Sequence, residues 1–127
     1  MVNEIHERFQ NTILFRFVYI AEAHAMDEWP VTSERFSKSG PVIVNQPKNS
    51  YDRCLLASRF QSEYNIKMDV VIDIPENGDQ FEKLFAPWPL RFYLLSSHNE
   101  LQFVAEPLDC SFEIAFIQLI GHLESYE

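Results

Sequence analysis

Basic residues are scarce. Ten Lys and Arg face nineteen Asp and Glu, for a formal net charge of −9. The ten are scattered rather than gathered in a patch, so the chain is not built to hold nucleic-acid phosphates. Cysteine is scarce too. Cys54 and Cys110 lie far apart with no CxxC, and they read as two reduced thiols, at least partly buried. No apolar run approaches the length of a membrane span. The opening MVNEIHERFQ is too polar for a signal peptide. A soluble, cytoplasmic chain with no membrane partner is therefore expected. No spacing of His, Cys, Asp and Glu suggests a metal site, and there is no internal repeat or low-complexity segment.

What is present suits one folded domain over residues 1–127. That length can enclose a real core, and eleven Phe supply apolar volume. Val2, Ile5, His6 and Phe9 predict a helix over 2–11, and a strand follows at 13–20. Residues 30–50 hold Pro30, Gly40, Pro41 and Pro47, which predicts a long loop, with a short extended piece at 42–44 and a lid role over a site. Ser50 can cap a helix over 51–64 with Cys54, Ala57 and Phe60 or Gln61 on its inner face. A second buried strand spans 68–72. A short helix carries Phe81, Leu84 and Phe85 and is stopped by Pro87-Trp88-Pro89. Strands at 90–95 and 101–104, joined at Ser97, His98 and Asn99, predict a hairpin. Phe112, Ala115, Phe116, Leu119, Ile120 and Leu123 repeat at helical spacing, so a final one-faced helix closes the chain, with Asp109 or Ser111 as cap. His98 in the turn and His122 in the last helix are expected to be solvated.

Residues 15–30, FRFVYIAEAHAMDEWP, are the centre of this pattern. The first six are β-branched and aromatic apart from Arg16, as in a strand covered on both faces. The run then breaks into Glu22, His24, Asp27, Glu28 and Trp29. In open α/β sheets, ligands bind beyond the carboxyl ends of the strands, so this edge is a candidate site. Glu22 and His24 are two apart and share a face if the chain stays extended. An imidazole can hand over a proton at neutral pH, and an indole can stack on an aromatic ring. The plainer readings are a surface histidine at a strand end and a loop tryptophan packed on the core.

In Tyr19-Ile20, Glu22-Ala23-His24 and Asp27-Glu28-Trp29 the chain resembles the iodothyronine deiodinases and their bacterial relatives. The likeness continues in Asn45-Gln46-Pro47, Tyr51-Asp52-Arg53, Val70-Val71-Ile72-Asp73 and in residues 86–93, APWPLRFY. It implies an α/β, thioredoxin-like fold with a mixed sheet flanked by helices. It also implies catalytic roles for Glu22 and His24, and a substrate contact for Trp29. It places Pro89 where thioredoxin folds hold a cis-proline against the reactive residue; an ordinary trans proline in a turn is the other reading. The chemistry implied is reductive: attack by selenium or sulfur, then regeneration by an external thiol, with no resident cofactor.

The chain also departs from the family pattern. Ala21 stands where a second acid is usual, and Glu28 where a Gly is. The place of a further histidine in vertebrate members falls at or near Pro47. Residues 106–110, EPLDC, replace a Gly-rich turn. The family's reactive selenocysteine or cysteine ends a central strand ahead of the first helix, and this sequence opens at that helix. The expected sheet therefore has four strands and an open slot. Unpartnered buried backbone groups cost about 1–3 kcal/mol each, so three outcomes are expected. The flanking strands pair directly; or a partner protein or second copy donates a strand; or a selenocysteine codon read as a stop has displaced the start. Cys110, at a helix N-terminus that favours a thiolate, is a candidate replacement thiol, and a structural cysteine is the plainer reading.

Overall fold

The structure, a computed structural model, describes residues 1–30, 36–37, 40–88, 90–109 and 111–126. The expectations for Pro89 and Cys110 lie outside the described residues, as do residues 31–35 and 38–39 of the proposed lid. The chain divides into two compact units, residues 1–86 and 87–127.

The first unit opens with α1 (Val2–Phe9), which buries Ile5 and Phe9. Its outer face is tied to the chain ahead of a strand. Asn3 donates to the Asn65 carbonyl at 2.9 Å and accepts from the Lys67 amide at 3.2 Å, and Glu7 pairs with Lys67. That contact with the ammonium pulls the Glu7 carboxyl below its usual range. β1 (Arg16–Tyr19) pairs in parallel with β4 (Asp69–Ile72), Phe17 opposite Val70 and Tyr19 opposite Ile72. A parallel pair needs a crossover, and α2 (Ser50–Glu63) lies on it. Arg53, Ala57 and Phe60, spaced i, i+4 and i+7, form its inner face. Arg53 and Ala57 are buried, and the Phe60 ring lies 5.3 Å from Phe17 and 5.8 Å from Tyr19. Cys54, one position off this face, is exposed, against the expectation of a partly buried thiol.

Asn49 caps α2, not Ser50. Its side chain accepts the Asp52 amide at 2.9 Å, a bond worth about 1 kcal/mol. Ser50 is engaged elsewhere. Its amide and hydroxyl donate to Glu76 at 2.8 and 2.5 Å, which holds the Glu76 carboxyl below its usual range. A short 3-10 turn (Pro75–Asn77) and α3 (Gln80–Phe85) follow β4. β2 (Phe36–Ser37) and β3 (Gly40–Pro41) form a small antiparallel pair just ahead of the extended piece expected at 42–44.

The second unit is a hairpin of β5 (Phe92–Leu95) and β6 (Leu101–Ala105), followed by α4 (Phe112–Leu123). Asn99 turns the hairpin at φ 62°, a left-handed position that asparagine accepts. Ala115, Leu119 and Leu123 are buried along one face of α4. Phe116 meets Phe92 at 5.0 Å. Ser111 occupies the cap position without a side-chain cap bond. His122 is not simply solvated: its ring stacks on Phe103 at 4.1 Å and 4°, and its Nε2 is buried with no hydrogen-bond partner among the described residues.

The α/β class stands. The continuous four-stranded sheet does not appear among the described residues, where each ladder has two strands. No residue of β1 is fully buried, and Val71 of β4 is 39% exposed. A strand is covered on both faces only where helices or another layer pack on each side, and the exposure of β1 and β4 corrects that expectation for the described residues.

Candidate functional site

The carboxyl end of β1 is set by its partner strand. The Asp73 amide donates to the Tyr19 carbonyl at 2.9 Å, one step past the ladder. The chain then turns rather than running on extended. Ala25 is buried, and its carbonyl accepts from Glu28 and Trp29 amides at 3.2 and 3.1 Å. His24 sits at φ 60°. That conformation costs a non-glycine residue on the order of 1 kcal/mol and persists only where the surroundings over-determine it. The shared face expected for an extended Glu22-Ala23-His24 is therefore not formed.

The turn brings His24 and Trp29 together. Their rings lie 4.8 Å apart at 53°, and His24 Nδ1 is 3.1 Å from the Trp29 carbonyl. A carbonyl only accepts, so in this contact Nδ1 is the donor and Nε2 is the ring nitrogen left for another partner. Trp29 is 66% exposed. Glu22 faces other groups. Its carboxylate accepts from the Tyr19 hydroxyl, and its backbone is held at both ends by the Gln46 side chain.

The same unit holds a buried charge that the sequence reading quoted within a family fragment but gave no role. Arg53 is 1% exposed. Its guanidinium donates to the Asp73 carbonyl at 2.7 Å and the Pro47 carbonyl at 3.5 Å, and pairs with the Asp79 carboxylate. Asp73, also buried, accepts the Phe81 and Glu82 amides at 3.0 and 2.9 Å and so closes the first turn of α3. One arginine on an otherwise apolar helix face was the available signal. Burial pushes the Glu82 carboxyl up, with Asp79, Asp73 and Glu28 adding repulsion against the pull of Arg53. Among the described residues no group of three or more His, Cys, Asp or Glu could hold a metal ion, and no helix is long and apolar enough to cross a membrane.

The arrangement offers an exposed indole against an imidazole, beyond a parallel strand, on a buried polar scaffold. The sequence profile described as "Iodothyronine deiodinase" matches residues 2–109, most of the 127. The chain belongs to the iodothyronine deiodinase family.

Proposed function

We propose that this chain is the substrate-binding scaffold of a reductive, deiodinase-like selenol or thiol site on a thioredoxin-like fold. The single observation that supports it best is the His24–Trp29 pair just past the carboxyl end of β1. A selenolate or thiolate takes the halogen of a halogenated aromatic ring, and the aromatic carbon takes a proton. Two equivalents of an external thiol then reduce the selenium– or sulfur–halogen bond, leaving a disulfide and halide. His24 Nε2 supplies the proton, Trp29 stacks on the ring at a gain of about 0.5–1.5 kcal/mol, and Glu22 orients the substrate through its carboxylate. The reading requires a selenol or thiol brought against this pair by a strand that pairs along β1. A chain extended by an apolar strand ending in cysteine is the test. With dithiothreitol it should release iodide from an iodophenol, and His24→Gln should slow the release about a hundredfold or more, as for loss of a general acid. Equal rates with and without His24 would reject this role.

A second reading has its own support. Parallel strands direct alternate residues to opposite edges, and Tyr19 faces β4, so the amide and carbonyl of Val18 point the other way. Among the described residues β1 forms no second ladder. That edge suits a non-catalytic assembly module that takes a strand from a partner protein or a second copy. Light scattering and hydrogen exchange at the Val18 amide separate the readings. A monomer with Val18 already protected speaks against strand capture.

A further inference from the structure

We propose that Gln46 is the positioning residue of this site, holding the 22–29 loop in the one shape that seats His24 on Trp29. The inference rests on the reading of Glu22, His24 and Trp29 as the substrate-facing group. Gln46 Oε1 accepts the Glu22 amide at 2.8 Å, and its Nε2 donates to the Glu22 carbonyl and to Glu28 Oε2, both at 3.1 Å. The side-chain amide thus pairs with the backbone of Glu22 at both points, as a neighbouring strand would. The backbone amide of Gln46 donates to Asp27 Oδ1 at 2.8 Å, and two residues earlier the Val44 carbonyl accepts from Met26 at 2.9 Å. These bonds fasten the loop on both sides of His24, whose left-handed backbone needs such fastening.

The position calls for one acceptor and two donors in a planar head at the end of two methylenes, and only glutamine offers that. A flipped amide would set oxygen against the Glu22 carbonyl and the Glu28 carboxylate, so the partners fix its orientation. Glutamate would keep the acceptor and lose both donations. Its carboxylate would face Glu28, Glu22 and Asp27 from the loop, with Glu82 of α3 acting on Glu28 and the Tyr19 hydroxyl beside Glu22. Residues 22–29 hold no Lys or Arg to offset it. Protonation of the introduced carboxyl restores one donor, so the variant should regain shape as pH falls.

The test reads geometry alone, so it stands or falls apart from any activity. The nuclear Overhauser contact between the His24 and Trp29 rings is measured in the 127-residue chain at pH 8 and roughly pH 5, the latter near a raised carboxyl pKa. In the wild type it should be present at both. In Gln46→Glu it should vanish at pH 8 and return at the lower pH, and in Gln46→Ala it should be absent at both. Amide shifts along β1 and β4 should remain those of the wild type throughout. A contact that survives at pH 8 in both variants overturns the proposal. So does loss of the β1–β4 shifts along with it, which would make Gln46 a residue of the fold at large.

Discussion

Replacing Arg53 with methionine keeps most of the buried stem and removes the guanidinium. Three acceptors then lose their donor: the Asp73 carbonyl, the Asp79 carboxylate and the Pro47 carbonyl. Breaking a buried pair from one side costs about 3–5 kcal/mol. Asp79 is about a third exposed and can recover some hydration, so the lower end applies, about 3 kcal/mol. Folded domains hold only about 5–15 kcal/mol in all, so the loss is a large share. It should appear as a lower urea midpoint by circular dichroism at unchanged slope, and as a melting point lower by roughly 10 °C. Asp79→Asn in the Arg53→Met background should recover part of the loss, because it removes the stranded charge. A loss under about 1 kcal/mol, or full additivity of the two changes, would refute this account of Arg53.

Asp73→Ala should cost about 2 kcal/mol in the same titration, because it strips the acceptor from two amides of α3; Asp73→Asn should cost less. Glu82 has its carboxyl raised by burial in the folded state, so between its unfolded and folded values the native protein binds more protons than the unfolded one. Its contribution therefore weakens stability as pH rises through that window. Glu82→Gln should raise the neutral-pH melting point and flatten that slope, and a lower melting point at neutral pH would contradict the sign. His122→Leu removes a buried unpartnered nitrogen while keeping contact with Phe103, so stability should stay within about 1 kcal/mol of the wild type. A larger loss would show that Nε2 has a partner.

Elements with strong periodicity were legible in the sequence. Ala115, Leu119 and Leu123 repeat on a helical face, and α4 follows them. Strand and helix order in the first unit was also readable, because aromatic and β-branched runs at 17–19 and 70–72 flank a helix with an apolar face. Caps were read less well. Ser50 and Asn49 are both good caps, and only the distant Glu76, which takes Ser50, decides between them. At the site, His24 and Trp29 were found as residue types, but their contact depends on a left-handed turn at a non-glycine residue, which no local pattern signals. Arg53 was hidden for a related reason. A lone arginine on a helix usually lies in water, and its partners here, Pro47, Asp73 and Asp79, are 6 to 26 residues away.

Residues 46 and 47 connect the scaffold to the site. Pro47 is buried and gives its carbonyl to Arg53, while Gln46, one residue before, holds Glu22 and Glu28. The same two-residue step is thus fixed from below by a charge and fixes the loop above through an amide. The consequences should be asymmetric. Loss of Arg53 should lower stability and also loosen the His24–Trp29 contact, because Pro47 carries Gln46 with it. Loss of the Gln46 side chain should loosen that contact and leave Arg53 with its three acceptors, since none of them is on the 22–29 loop. Arg53→Met with a weakened Trp29–His24 Overhauser contact, beside Gln46→Ala with a near-normal urea midpoint, is the pattern that follows. The reverse pattern would mean that the loop supports the core.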